Sequence, residues 1–217
     1  MKDPYKGREQ SKVKHFILRS YLQELAFKLL HAHDELAYVD GFFGPWKSKS
    51  QNFSDTSFAI ALDTLKDAQA FFAKQSQKKT IRCFFVEEDP TSFKKLKEAV
   101  SPYNKPTEAF HVRTFEGKFE DAVQEITRFV NQSFVLLFID PTGWTGYPYD
   151  KIGPLLMRTP GEVLINLMYD HVNRFAASDD PKIVQSFAPI LGGPDWSSRL
   201  DPTLPRGRAI ENCFVRS

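Results

Sequence analysis

Short apolar runs alternate with stretches of helical period along most of the chain. From Lys14 to about Leu30, "KHFILRSYLQELAFKLL" sets Phe16, Ile17, Tyr21, Leu22, Leu25, Leu29 and Leu30 at helical spacings, which predicts an amphipathic helix. "ELAYVD" follows as a short apolar run ending in an acid, the pattern of a buried strand entering a turn. Between Asp55 and Lys74, a helix capped by Asp55 or Thr56 would turn Phe58, Ala61, Leu62, Leu65, Ala68 and Phe72 inward.

The pattern then repeats. "TIRCFFVEED" predicts a second strand, and Pro90 opens the helix "TSFKKLKEAV". "AFHVRTFEG" predicts a third strand and "FEDAVQEITRFV" its helix. "SFVLLFID", uncharged until Asp140, predicts the fourth strand, "YDKIGPLLMRT" a helix interrupted by Pro154, and "GEVLINLMYD" a fifth strand with a polar end. Alternation of this kind implies parallel strands joined by right-handed helical crossovers. The expected fold is therefore α/β: a doubly wound, mostly parallel sheet with helices on both faces. Beyond Pro181, "KIVQSFAPILGGPDW" predicts one short helix ended by Gly192 and Gly193, and the remainder is expected to be loop-like with a final strand.

Composition narrows the function classes. With 217 residues, 41% of them hydrophobic, the chain can bury one substantial core and reads as a single domain. Lys and Arg total 29 against 27 for Asp and Glu, so the net charge offers no general argument for a nucleic-acid or membrane partner. Positions 1 to 19 are locally basic, which suits a solvated arm or a phosphate-contacting patch. No run of apolar residues is long enough to span a bilayer and the N-terminus is polar, so a cytoplasmic location is expected. Cys83 falls in a predicted strand and Cys213 near the end of the chain, which makes no disulfide framework. His31 and His33 are two residues apart at a helix end, where their rings face different ways, and no metal site is expected.

In doubly wound sheets the ligand crevice lies at the carboxyl ends of the strands, where the strand order reverses. Asp40, Glu87 with Glu88 and Asp89, Glu116, Asp140 and Asp170 all fall at or just past predicted strand ends. They line one crevice, or they are the polar residues that any such sheet keeps at its ends. "YVDGFFGPW" adds Gly41 and Gly44 to Asp40, glycines that let backbone approach a ligand. It is neither the dinucleotide G-x-G-x-x-G nor a P-loop.

The turn instead resembles the first motif of the S-adenosylmethionine-dependent methyltransferases, in which an acid and a glycine-rich turn hold the methionine end of the cofactor. That resemblance implies a ribose-binding acid at the end of the second strand, where Glu87 stands. In "FIDPTGW", Asp140 and Pro141 occupy the place where amino-group methyltransferases carry an Asp/Asn-Pro-Pro-aromatic motif that holds a target amine, with Trp144 as the stacking ring for a flipped base. On the residues alone, Asp140 equally caps the turn and Pro141 stiffens it.

Taken together, "KHFILRSYL", "YVDGFFGPW", "FIDPTGWTGYPYDKI" and "GEVLINLMYDHVNRF" resemble the three-Cys-motif partner (TcmP) proteins over roughly positions 12 to 176. These are bacterial and phage-associated proteins with a methyltransferase-like Rossmann fold, found beside a radical S-adenosylmethionine protein with three cysteines. The resemblance implies that Asp40, Gly41 and Gly44 form the cofactor turn, and that Asp140, Pro141, Gly143 and Trp144 form the substrate loop. It further implies that Asn166 and Tyr169 lie on the fifth strand, with Asn173 and Arg174 just beyond. Two positions depart from the family. Trp46 stands where a glycine is usual, and Lys118 replaces an acid that would meet the adenine amine, a task then left to Glu116 or Asp121. Family members are generally longer, so residues 177 to 217 are expected to be the tail of a short form or of a fragment. His171 is suited by its ordinary pKa to act as a base, or it caps the following helix; Arg174 binds an anion or pairs with Asp170.

The expected function is transfer of a methyl group from S-adenosylmethionine to an amino group, one carried by a nucleic-acid base being the candidate. The rival expectation is a non-catalytic accessory that partners the radical protein. A third is a magnesium-dependent nuclease-like protein using the strand-end acids.

Overall fold

A computed structural model describes residues 5–7, 9–42, 53, 55–141, 143–176, 178 and 180–215. Gly44 and Trp46, named above, lie outside the described residues. The elements run in the order α1 (Glu9–Ala32), β1 (Glu35–Asp40), α2 (Ser57–Ala73), β2 (Thr80–Glu87), α3 (Pro90–Val100), β3 (Phe110–Glu116), α4 (Phe119–Val130), β4 (Phe134–Ile139), α5 (Tyr149–Leu156), β5 (Gly161–Ile165), α6 (Tyr169–Phe175), α7 (Pro181–Gln185) and α8 (Arg206–Val215).

The five strands form one parallel sheet in the order β3-β2-β1-β4-β5, a doubly wound Rossmann-like α/β architecture. Side chains alternate across it. Leu36, Tyr38, Ile81, Cys83, Phe85, Leu136 and Phe138 pack with α1, α2 and α3, while Ala37, Val39, Phe84, Val86, Leu137 and Ile139 pack with α4, α5 and the C-terminal helices. Both faces are covered, which is why β1 and β4, and β2 from Cys83 onward, read as apolar runs rather than alternating ones.

Local signals account for several boundaries. Asp89 caps α3 by accepting a hydrogen bond from Ser92 N at 2.7 Å, and Pro90 occupies its first turn, where a missing N–H costs nothing. Asp180 and Pro181 begin α7 in the same way, the carboxylate accepting from Lys182 N. Thr56 is the N-cap of α2, but its hydroxyl turns back to donate to Phe53 O.

Three expectations need correction. In α1 the buried stripe is His15, Leu18, Leu22, Leu25, Ala26 and Leu30, whereas Phe16, Ile17 and Tyr21 are exposed. A helix presents only a narrow stripe to a sheet, and the apolar surplus of this one falls outside it. The fifth strand ends at Ile165 rather than Asp170, because the chain turns at Leu167 and Met168 into α6; Tyr169 and Asp170 are therefore helical. The expected final strand is α8, whose Ala209, Ile210 and Cys213 are buried against the α4–α5 face of the sheet. Cys213 stands four positions after Ala209, a spacing that suits one face of a helix.

β5 sits close against β4. A Cβ added at Gly161 would lie 2.9 Å from Val135 O and 3.3 Å from Arg158 O, backbone atoms that cannot swing aside. Gly161→Ala is expected to destabilise the fold by about 1–3 kcal/mol in urea unfolding, and an unchanged midpoint would refute this account of the glycine.

Candidate functional site

The strand order reverses between β1 and β4, and the crevice expected there lies above their carboxyl ends. Asp40 is the last residue of β1, Glu87 of β2 and Glu116 of β3, and Asp140 follows β4 directly. Each is an even number of residues beyond side chains that face α1–α3, so the sheet's alternation directs all four acids to that same side. Asp170 does not join them, being exposed on α6.

Asp40 is fully buried. Its Oδ1 accepts from Phe42 N and its Oδ2 from Ser57 Oγ, each at 3.1 Å, so the carboxyl ties the turn after β1 to the start of α2. Burial pushes its pKa up to about 7. The Phe42 N–H opposes this, the charge of Asp140 adds to it, and Ser57 and Lys14 pull it down. The hydroxyl of Tyr38, also fully buried, has no hydrogen-bond partner and is raised well above the usual phenol range, first by burial and then by the charge of Asp40, with Asp140 contributing.

Asp140 is nearly enclosed, and both its oxygens are engaged. Oδ2 lies 2.5 Å from Lys14 Nζ, and Oδ1 accepts from Asn166 Nδ2 at 2.7 Å. Lys14 reaches it because α1 packs along the α2 side of the sheet with its N-terminal end above the crevice. Asn166, immediately after β5, is fixed by its own N–H, which donates to Ile139 O at 2.8 Å.

Glu87 is buried at the end of β2. Oε1 accepts from Asp89 N at 2.8 Å, while Oε2 is buried with no hydrogen-bond partner. Burial raises its pKa first of all, against the Asp89 N–H. Glu116 is its register partner on β3 and is exposed, and Lys118 and Asp121 are exposed nearby in the chain.

The other candidates occupy packing positions. Gly41 donates from its N–H to Phe138 O, and a Cβ there would meet the Phe119 ring at 2.9 Å, so close packing by α4 is reason enough for a glycine. Pro141 is buried. Trp144 packs in tilted contact with Phe187 at 4.8 Å and Phe175 at 5.2 Å between ring centres, and its Nε1 donates to Ser186 Oγ at 2.8 Å. Its indole therefore knits the loop after β4 to the C-terminal helices. His171 and Arg174 are exposed on α6, and His31 and His33 are exposed at the end of α1. Among the described residues no group of three or more His, Cys, Asp and Glu is placed to hold a metal ion, and no helix is long and apolar enough to cross a membrane.

Lys14, Ser57 and Tyr38 are the residues of this cluster that sequence reasoning missed. Lys14 looked like one more charge in a basic segment. Only the packing of α1 on the sheet brings it to a residue 126 positions away. Compared with protein-family models, with curated proteins and with solved structures, the chain finds no match.

Proposed function

We infer that the protein is an S-adenosylmethionine-dependent methyltransferase of the kind resembled by the TcmP proteins, acting on an amino group held at Asp140. The observation that carries the cofactor reading is Glu87. A carboxylate oxygen buried without a partner is costly, and a ribose hydroxyl brought to the carboxyl end of β2 would supply one, which supports the reading. The bound cofactor would supply an electrophilic methyl group on sulfur.

The chain's own residues would position the acceptor. Asp140, held by Asn166, presents an oxygen to an N–H donor and fixes the direction of the nitrogen. Asp40 organises the turn after β1 through Phe42 N and Ser57 Oγ rather than by exposing its own oxygens. Asp40 is fully buried and Asp140 nearly enclosed, which strengthens the electrostatic hold.

Titration calorimetry with S-adenosylhomocysteine tests this reading: binding is expected, and none at millimolar ligand would overturn it. In the same experiment Glu87→Gln is expected to weaken binding roughly tenfold, since a hydrogen bond to a charged acceptor contributes about 1.5–3 kcal/mol.

A second reading, an accessory that partners a radical S-adenosylmethionine protein without catalysis, is favoured by one observation. Both Asp140 oxygens are already satisfied within the chain. Under that reading S-adenosylhomocysteine does not bind and Asp140→Ala leaves complex formation with the radical protein unchanged.

A further inference from the structure

The geometry points to a subsite for a primary alkyl ammonium group, formed by Asp140 and Asn166, in which Lys14 is the resident occupant. This rests on the amino-group reading above and gives its substrate class: an alkyl ammonium such as a lysyl side chain or a free polyamine, rather than the neutral ring amine of a base. Three features of the cluster argue for the charged, aliphatic class.

The first is the bound group itself. Lys14 Nζ lies 2.5 Å from Asp140 Oδ2, and the lysine side chain remains 32% exposed while that of Asp140 is only 11% exposed. The carboxylate is thus a nearly enclosed receptor reached from solvent along a flexible stem. The second is charge. Asp40 feels the charge of Asp140, and Lys14, paired with Asp140, offsets it there. A full positive charge pairs directly with the Asp140 carboxylate, whereas a neutral ring amine offers it only an uncharged N–H. The buried Tyr38 hydroxyl feels the charge of the same two acids, that of Asp40 above all. The third is the loss of the stacking ring. Trp144 is packed between Phe175 and Phe187 with its Nε1 bonded to Ser186, so the aromatic face that base recognition requires is already engaged.

Lys14 occupies the subsite intramolecularly, so an external ammonium must displace it, and removing its side chain should leave a vacancy that small ammonium ions refill. The test is chemical rescue on the full chain, read as the thermal midpoint. Lys14→Ala is titrated with n-butylammonium chloride, with tetramethylammonium chloride at equal ionic strength as a control that carries charge but no N–H. Expected is a saturable rise of about 2–4 °C with n-butylammonium alone. The wild-type chain should need at least tenfold more ligand, and Lys14→Ala/Asp140→Asn should show no rise. No saturable rise in Lys14→Ala, or an equal rise in all three proteins or with both salts, would overturn the subsite. If Lys14→Ala does not fold, Lys14→Met keeps the aliphatic stem and serves instead.

Two further arms separate the sources of the ammonium. Nα-acetyl-lysine amide acting at lower concentration than spermidine supports a lysyl side chain, and the reverse supports a free polyamine. S-adenosylhomocysteine binding is measured on the same preparations. Rescue without it upholds the ammonium site while removing methyl transfer, and binding without rescue overturns the ammonium site alone.

Discussion

Asp40→Asn is expected to remove most of a fall in stability that the wild-type protein undergoes between about pH 4 and pH 7. In the folded chain this carboxyl titrates at about 7, chiefly because it is buried; in the unfolded chain it titrates at about 3.9. Between those values the folded state binds the proton and the unfolded state does not. The stabilisation from Asp40 is therefore complete below the unfolded value and is lost as pH rises through the folded one. A separation of roughly three pH units corresponds to something on the order of 4 kcal/mol. An amide at position 40 keeps the shape and an acceptor for Phe42 N, and never has to ionise. The measurement is urea unfolding of both proteins at pH 4, 5.5, 7 and 8. The variant's advantage should grow with pH and level off near pH 8, and parallel profiles would show that Asp40 does not carry this linkage.

Trp144→Ala should destabilise the protein by about 3 kcal/mol. The substitution removes an indole packed on Phe187 and Phe175 and leaves Ser186 Oγ without its donor. Trp144→Phe preserves most of the ring packing and loses only the hydrogen bond, so its cost is expected to be about 1 kcal/mol. Denaturant unfolding of the two variants separates packing from hydrogen bonding. Hydrogen exchange across residues 143–148 should accelerate in the alanine variant alone. A loss below 0.5 kcal/mol for Trp144→Ala would mean that the ring is free at the crevice, as a stacking role demands.

The two results bear on different parts of the site. Asp40 concerns the turn after β1, where a buried acid is kept for the bonds it accepts from Phe42 and Ser57. Trp144 concerns the loop after β4, where an aromatic residue beside Asp140 turns out to be anchored sideways. From the sequence, both residues suggested direct contact with a ligand. In each case tertiary packing supplies a partner inside the chain, Ser57 for Asp40 and Ser186 for Trp144, at a separation no local pattern records.

The layout of the sheet was legible along the chain for a physical reason. Strands covered on both faces are apolar through most of their length, so β1, β2 and β4 announce themselves, and the crossover rule then makes them parallel. Strand-end acids follow from the same logic, and Asp40, Glu87, Glu116 and Asp140 lie at the ends where they were expected. Elements near the edges were harder to read. β5 is short and partly exposed, so its pattern blurred into α6, and α8 was expected to be a strand although Ala209, Ile210 and Cys213 stand at helical spacing, because three buried residues near the end of a chain make a weak pattern.

Local order, the alternation of β and α elements and the identity of the strand-end acids were thus written in the sequence, because each depends on neighbours within a few residues. Tertiary structure alone determined that the N-terminal end of α1 lies over the β1–β4 crevice, that Lys14 meets Asp140 there, and that Trp144 is packed against α6 and the residues after α7. Those pairings depend on how a helix rests on a sheet. The same apolar stripe in α1 would bury equally well in other registers, and only the completed packing selects which charged side chain arrives at the acid.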